Sequence, residues 1–143
     1  MTPTRSIRRS ILLPALFAVA AMGCVDSRGT RSVVQSGPTT LQAVQVSVFT
    51  PRCATSGCHV NGGPFGLDLN TGATASNTIG VPSAELPGFD RITPFDAANS
   101  YLYMKISGDP RLLGDPMPAP PNSLLTPQQQ QLVADWINAG AIE

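Results

Sequence analysis

Fourteen prolines and 13 glycines punctuate a chain of 143 residues, and their placement confines regular structure to short pieces. The stretches 60–94 and 108–125 are rich in Gly, Pro, Asn and Asp and are expected as loops. Three segments can form helices. Thr39 to Phe49 puts Leu41, Val44, Val48 and Phe49 on one helical face, although Val44, Val46 and Val48 also alternate as in a strand. Asp96 to Ser107 aligns Ala98, Leu102 and Ile106 at helical period, with Gly108 as a stop and Pro110 beyond it. The last segment is the clearest. Thr126 suits the N-cap, Pro127 the first helical position, and Gln129 completes a capping box. Leu132, Val133, Trp136 and Ile137 follow as an apolar stripe that Gly140 ends. No segment reads convincingly as part of a sheet, so a small, mainly α, loop-rich fold of three or more short helices is expected.

Such a fold has little with which to build a core. Beyond the N-terminal segment its only aromatics are Phe49, Phe65, Phe89, Phe95, Tyr101, Tyr103 and Trp136. Small domains this poor in large apolar side chains commonly recruit a disulfide, a metal or a cofactor. Nine basic residues balance nine acidic ones, so the chain lacks the basic excess on which binding to nucleic acid depends. A single histidine excludes a His/His metal pair and a zincin motif.

The N-terminus reads as an export signal. Arg5, Arg8 and Arg9 precede an apolar run from Ile11 to Met22, interrupted only by Pro14. The run falls short of the roughly 20 apolar residues a permanent membrane helix needs. It ends in Ala21-Met22-Gly23-Cys24, which resembles a bacterial lipobox with Ala21 in place of the usual Leu. That resemblance implies a signal over 1–23 and a lipidated Cys24, the alternative being ordinary cleavage nearby, for example after Gly23. Cleavage before Cys24 leaves 6 basic and 9 acidic residues, a mildly acidic chain. Residues 24–38 are polar and without periodicity, and are expected to tether the domain 39–143 to a membrane surface. Val25, rather than Asp, follows the lipid site, which favours the outer membrane.

Cys53-Ala54-Thr55-Ser56-Gly57-Cys58-His59 gathers two of three cysteines and the only histidine. Covalent attachment of haem c uses two thiols from one short segment, which add to the vinyl groups, and the His after the second Cys then lies beneath the iron. The usual spacer has two residues; here it has four, and Gly57 eases the outward bulge this requires. Two other readings use the same residues. Exported thiols are normally oxidised, so Cys53–Cys58 could be a structural disulfide, and a zinc site could employ the trio but lacks a fourth ligand.

A distal ligand has two candidates, because Met1 and Met22 fall in the signal. Met104 lies within a helical segment beside Leu102 and Ile106, where core packing accounts for it. Met117 sits in Asp115-Pro116-Met117-Pro118, an extended, stiff segment in which no helical packing explains it. A thioether held on a stiff loop meets the requirement for axial ligation.

The order of these elements resembles the class I cytochrome c fold, and in detail the planctomycete-type cytochrome c domains of exported bacterial proteins. A helix, C-x₄-C-H, Gly66-Leu67-Asp68-Leu69, the helix opening Ser100-Tyr101-Leu102, Met117-Pro118 and the closing Trp136-Ile137-Asn138-Ala139-Gly140 follow one another over residues 38–143. The resemblance implies one covalent haem on Cys53 and Cys58, with His59 and Met117 as axial ligands. It also implies a core in which Phe49, Leu67, Leu102, Ile106, Trp136 and Ile137 line the haem. Gly63-Pro64 resembles the Gly-Pro that follows the haem motif in many cytochromes c, making the Gly63 carbonyl the expected acceptor for the His59 N–H. The function implied is electron transfer with redox proteins of the cell envelope. The competing readings are a haem peroxidase-like enzyme with an open sixth site and a haem-free binding module stapled by Cys53–Cys58.

Overall fold

A computed structural model of the chain describes residues 39–143; the signal 1–23, Cys24 and the tether 24–38 lie outside the described residues. The described residues form a small, mainly α fold without strands. None of its helices is long and apolar enough to cross a membrane.

Thr40 opens the first helix in an extended conformation, its hydroxyl accepting the Ala43 N–H at 3.4 Å. Helix α1 (Leu41–Val44) runs without interruption into a π-helical stretch, Gln45–Cys53. The apolar period predicts an end at Phe49, but the helical chain continues to Cys53, with Pro51 inside it. An expectation built on 3.6 residues per turn stops at such a proline; the wider π turn carries past it, and Ala54 N–H closes it on the Phe49 carbonyl at 2.7 Å. Val44, Val48 and Phe49 are fully buried while Val46 is 63% exposed, so the helical reading holds over the alternating one.

Helix α2 (Thr74–Thr78) lies inside the stretch 60–94 expected to be loop. Its buried side is polar, which is why no apolar period announces it. The Thr74 hydroxyl donates to Gln45 Oε1 (2.9 Å), Gln45 Nε2 donates to the Leu69 carbonyl (2.8 Å), and the Thr78 hydroxyl donates to the Thr74 carbonyl (2.7 Å). A fully satisfied network of this kind fixes the first helix against α2 at little desolvation cost. The chain then folds back on itself through Ile92 N–H to Thr78 O (3.0 Å) and Ser83 N–H to Phe89 O (2.8 Å).

The single helix expected over 96–107 is divided. A 3-10 turn, Ala97–Asn99, precedes α3 (Tyr101–Ser107), and Ser100 between them is extended. The Asp96 carboxylate accepts the Asn99 N–H (3.1 Å), and the Ser100 hydroxyl donates to the Asp96 carbonyl (2.8 Å). These local bonds compete successfully with a continuous helix. In consequence Ala97, not Ala98, faces the core; Leu102 and Ile106 are buried as expected, and Gly108 closes α3 with φ +73°.

Helix α4 (Pro127–Asn138) begins with the expected capping box, Gln129 N–H to Thr126 Oγ1 (3.2 Å) and Thr126 N–H to Gln129 Oε1 (3.0 Å). Val133, Trp136 and Ile137 are fully buried and Leu132 is half-buried. The Trp136 and Phe49 rings meet edge to face, with centroids 6.0 Å apart at 78°. Trp136 Nε1 donates to the Ile142 carbonyl (2.8 Å), which also takes the Leu41 N–H (3.1 Å), so the C-terminus ties the first helix to α4.

Candidate cofactor site

Cys53 is the last residue of the π-helical stretch and is therefore carried on a rigid element. From there the chain loops out and returns: Cys58 N–H donates to the Thr55 carbonyl (2.9 Å), and His59 N–H reaches back to the Cys53 carbonyl (3.1 Å). The four-residue spacer is thus accommodated as a closed loop that brings His59 beside the helix end. The His59 carbonyl in turn accepts the Leu69 N–H (2.9 Å). Gly63 sits so close under this loop that a Cβ there would collide with the Cys58 carbonyl. Both thiols are free; Cys53 is buried and Cys58 is half-buried.

Burial pushes the Cys53 thiol up to about 12, with Arg52 opposing and Cys58 reinforcing the shift, so Cys53 is held as a neutral thiol. His59 is held below its ordinary range, first by burial and then by the positive charges of Lys105 and Arg91. A neutral imidazole keeps a lone pair available to a metal.

These residues face a cleft of two joined lobes. The first is walled by apolar side chains such as Phe49, Leu67, Leu69, Leu102 and Ile106, the kind of lining that small-molecule and cofactor sites have. The second is bounded by Arg52, by the loop from Thr55 to Cys58, and by Pro118 to Pro120. Cys53, His59, Pro64 and Met117 border both lobes. Met117 is positioned by its backbone, whose N–H donates to the Lys105 carbonyl of α3 at 2.8 Å. Met104 is 1% exposed and borders neither lobe.

Two expectations about the surroundings differ from what is found. Trp136 and Ile137 do not line the cleft; both are buried in the core, Trp136 against Phe49, which does line it. The Gly63 carbonyl accepts the Gly66 N–H (2.8 Å), and His59 Nδ1 is buried with no hydrogen-bond partner among the described residues. The short interval from His59 to Pro64 is spent on the tight packing of Gly63 against Cys58, which turns the Gly63 carbonyl to its own 3-10 turn, Pro64–Gly66.

The sequence reading did not nominate Arg91, Lys105, Glu85, Tyr101 or Phe65, all of which border the first lobe. A signal for the two cations was present. Residues 39–143 contain four basic side chains, Arg52, Arg91, Lys105 and Arg111, so each must be accounted for individually. Lys105 is 7% exposed, with Nζ bonded to Glu85 Oε1 (3.2 Å) and to the Leu113 carbonyl (2.7 Å).

The residues present suit a covalent haem. Two thiols, an imidazole and a thioether border the two-lobed cleft, Cys58 only its more polar second lobe, and the buried polar side-chain atoms left unpaired among the described residues, His59 Nδ1 and Arg52 Nε, belong to residues that border it. Leaving such groups unpaired costs about 1–3 kcal/mol each, which partners supplied by a ligand or water would recover. Among the described residues no three His, Cys, Asp or Glu side chains group as a metal site of their own. Comparison of the chain with known protein families, with curated proteins and with solved structures finds no match.

Proposed function

We propose that the chain is an exported monohaem c-type cytochrome, an electron carrier with His59 and Met117 as axial ligands, tethered to the periplasmic side of a bacterial membrane through Cys24. The observation that supports it most is the convergence of Cys53, His59 and Met117 on the junction of the two lobes, with Cys58 on the adjoining wall. When bound, the haem supplies a one-electron couple. The chain supplies the rest. Cys53 and Cys58 anchor the ring from one short loop, and His59 stays neutral and presents a nitrogen lone pair. Met117, braced on α3, offers a soft sulfur that favours the ferrous state. The apolar wall of the first lobe would limit the access of water to a bound haem. Were His59 and Met117 both to hold the iron, no position would be left for a substrate, which favours a carrier over a peroxidase-like enzyme.

Protein matured in a host with cytochrome c assembly machinery is expected to carry one haem that survives acid–acetone extraction and adds one haem mass. Replacing Cys53 and Cys58 together by Ala is expected to abolish attachment. A wild-type chain without haem and with Cys53 disulfide-bonded to Cys58 would sink the proposal and favour the stapled binding module.

The tether makes a separate expectation. Cys24→Ala should leave the protein unprocessed or release it from the membrane fraction, because residues 25–38 carry no apolar anchor of their own. Wild-type protein that is wholly soluble, with its N-terminus away from Cys24, would remove the lipoprotein reading while leaving the haem reading intact.

A further inference from the structure

The distribution of charge around the cleft assigns its two ends different roles. Residues 39–143 carry eight carboxylates against four cations, yet three of the cations and only one carboxylate, Glu85, border the cleft. An acidic domain thus presents a net positive lining to an apolar slot, which suits a ligand that is largely apolar but bears acidic groups.

The cations are not equivalent. Arg111 is paired with Asp109 at 2.8 Å and lies outside the cleft, and Lys105 is paired with Glu85 at 3.2 Å. Arg52, which borders only the second lobe, donates to the Ser123 carbonyl at 2.6 Å and pairs with no carboxylate among the described residues; in the first lobe Arg91 likewise pairs with none. It is held by neutral oxygens: Nη1 donates to the carbonyl and Oδ1 of Asn77 (both 2.7 Å) and, more weakly, to the Gly66 carbonyl (3.3 Å), while Nη2 donates to the Phe65 carbonyl (2.8 Å). Of its five N–H groups, Nε and one on Nη2 have no acceptor among the described residues. Those two form the side-on fork that grips a carboxylate.

Direction follows from which residues share which lobe. Cys58 and Arg52 border only the second lobe, Arg91 and Lys105 only the first, and His59 and Met117 border both. On the reading above, the thioether edge of the ring belongs at the second lobe and the iron at the junction. A haem's two propionates lie on the edge away from its vinyl groups, which puts them in the first lobe. We infer that Arg91 binds a propionate carboxylate of the haem and fixes which way the ring enters the cleft. Glu85, Lys105, Tyr101 and His59 also face that lobe. The Glu85–Lys105 pair is internally neutralised and leaves Arg91 as the uncompensated charge. The inference rests on the proposal of a covalent haem.

The test uses full-length holoprotein and its Arg91→Gln and Arg91→Lys variants. Resonance Raman spectra are expected to show the haem propionate-bending band displaced in Arg91→Gln, with Arg91→Lys restoring it in part and the reduction potential falling in the order wild type, Lys, Gln. A band and a potential unchanged in Arg91→Gln, with haem still attached, overturn the assignment without touching the haem proposal; wild type lacking haem overturns both. Arg91 also braces Phe65 and α2, so Arg91→Gln could fail to mature. In that event wild-type protein labelled with ¹⁵N-arginine decides. A solvent-protected arginine Nε–H resonance that moves between ferric and ferrous states, and persists in Arg52→Gln and Arg111→Gln, supports Arg91; absence of any such resonance overturns it.

Discussion

Replacing Met117 by Ala in the haem-loaded protein is expected to turn a low-spin ferric centre into one that binds cyanide or azide rapidly, with a lower reduction potential. Met117 borders the cleft beside His59, its backbone N–H bonded to α3 and its half-buried side chain resting on the edge of the core. Removing that side chain should cost less packing than removing a fully buried one. Water in place of the thioether stabilises ferric iron better, hence the fall in potential. Met104→Ala should do the reverse. That side chain is fully buried and away from both lobes, so its loss should cost about 2–5 kcal/mol of stability and leave the iron's spectrum unaltered. Spectral disruption by Met104→Ala alone would transfer the ligand to Met104. Were neither variant to change the spin state, the sixth position would already be open and the peroxidase-like reading would lead.

Trp136→Ala is expected to be the most destabilising single change, by about 3–5 kcal/mol in denaturant unfolding of the holoprotein. Trp136 is fully buried, meets Phe49 edge to face, and bonds the carbonyl that also receives the N–H of Leu41. Because Phe49 lines the cleft and Trp136 stands behind it, loss of the indole should also loosen the wall, seen as broadened haem absorption. Trp136→Phe should retain most of the packing and lose chiefly the bond to Ile142. If Trp136→Ala unfolded at the wild-type denaturant midpoint, Trp136 would not be the brace described here.

What the sequence made legible was whatever rests on local chemistry. The capping box at Thr126 and Gln129, the stop at Gly108 and the buried stripe of α4 are set by near neighbours, and they occur as read. The α2 helix was hidden because Thr74 and Thr78 are buried through hydrogen bonds to Gln45 and the backbone, and an apolar period cannot report a polar contact 29 residues away. The break at Ser100 was hidden because Asp96 and Ser100 satisfy backbone groups that a continuous helix would also claim. At the site, Cys53, Cys58 and His59 were legible as one motif. Met117 stood out only by being unexplained between prolines. Arg91 carried no local mark, since its significance lies in bonds to Phe65, Gly66 and Asn77 and in having no carboxylate partner among the described residues.

The π-helical stretch that delivers Cys53 sets a counting rule on the gene. Between Phe49 and Cys53 the chain spends one residue per turn more than an α-helix would, closed by the Ala54 N–H on the Phe49 carbonyl. Deleting a single codon there would let the segment tighten to ordinary pitch: the Ala54 N–H would close on the Phe49 carbonyl as an α-helical bond, and three steps of about 100° would cover nearly the angle of four in the wider turn. Cys53 would keep its heading. Removing a second codon would swing every following side chain by about 100° around the axis and turn Cys53 away from the slot. The segment can give up one residue, but not two, and still deliver the thiol.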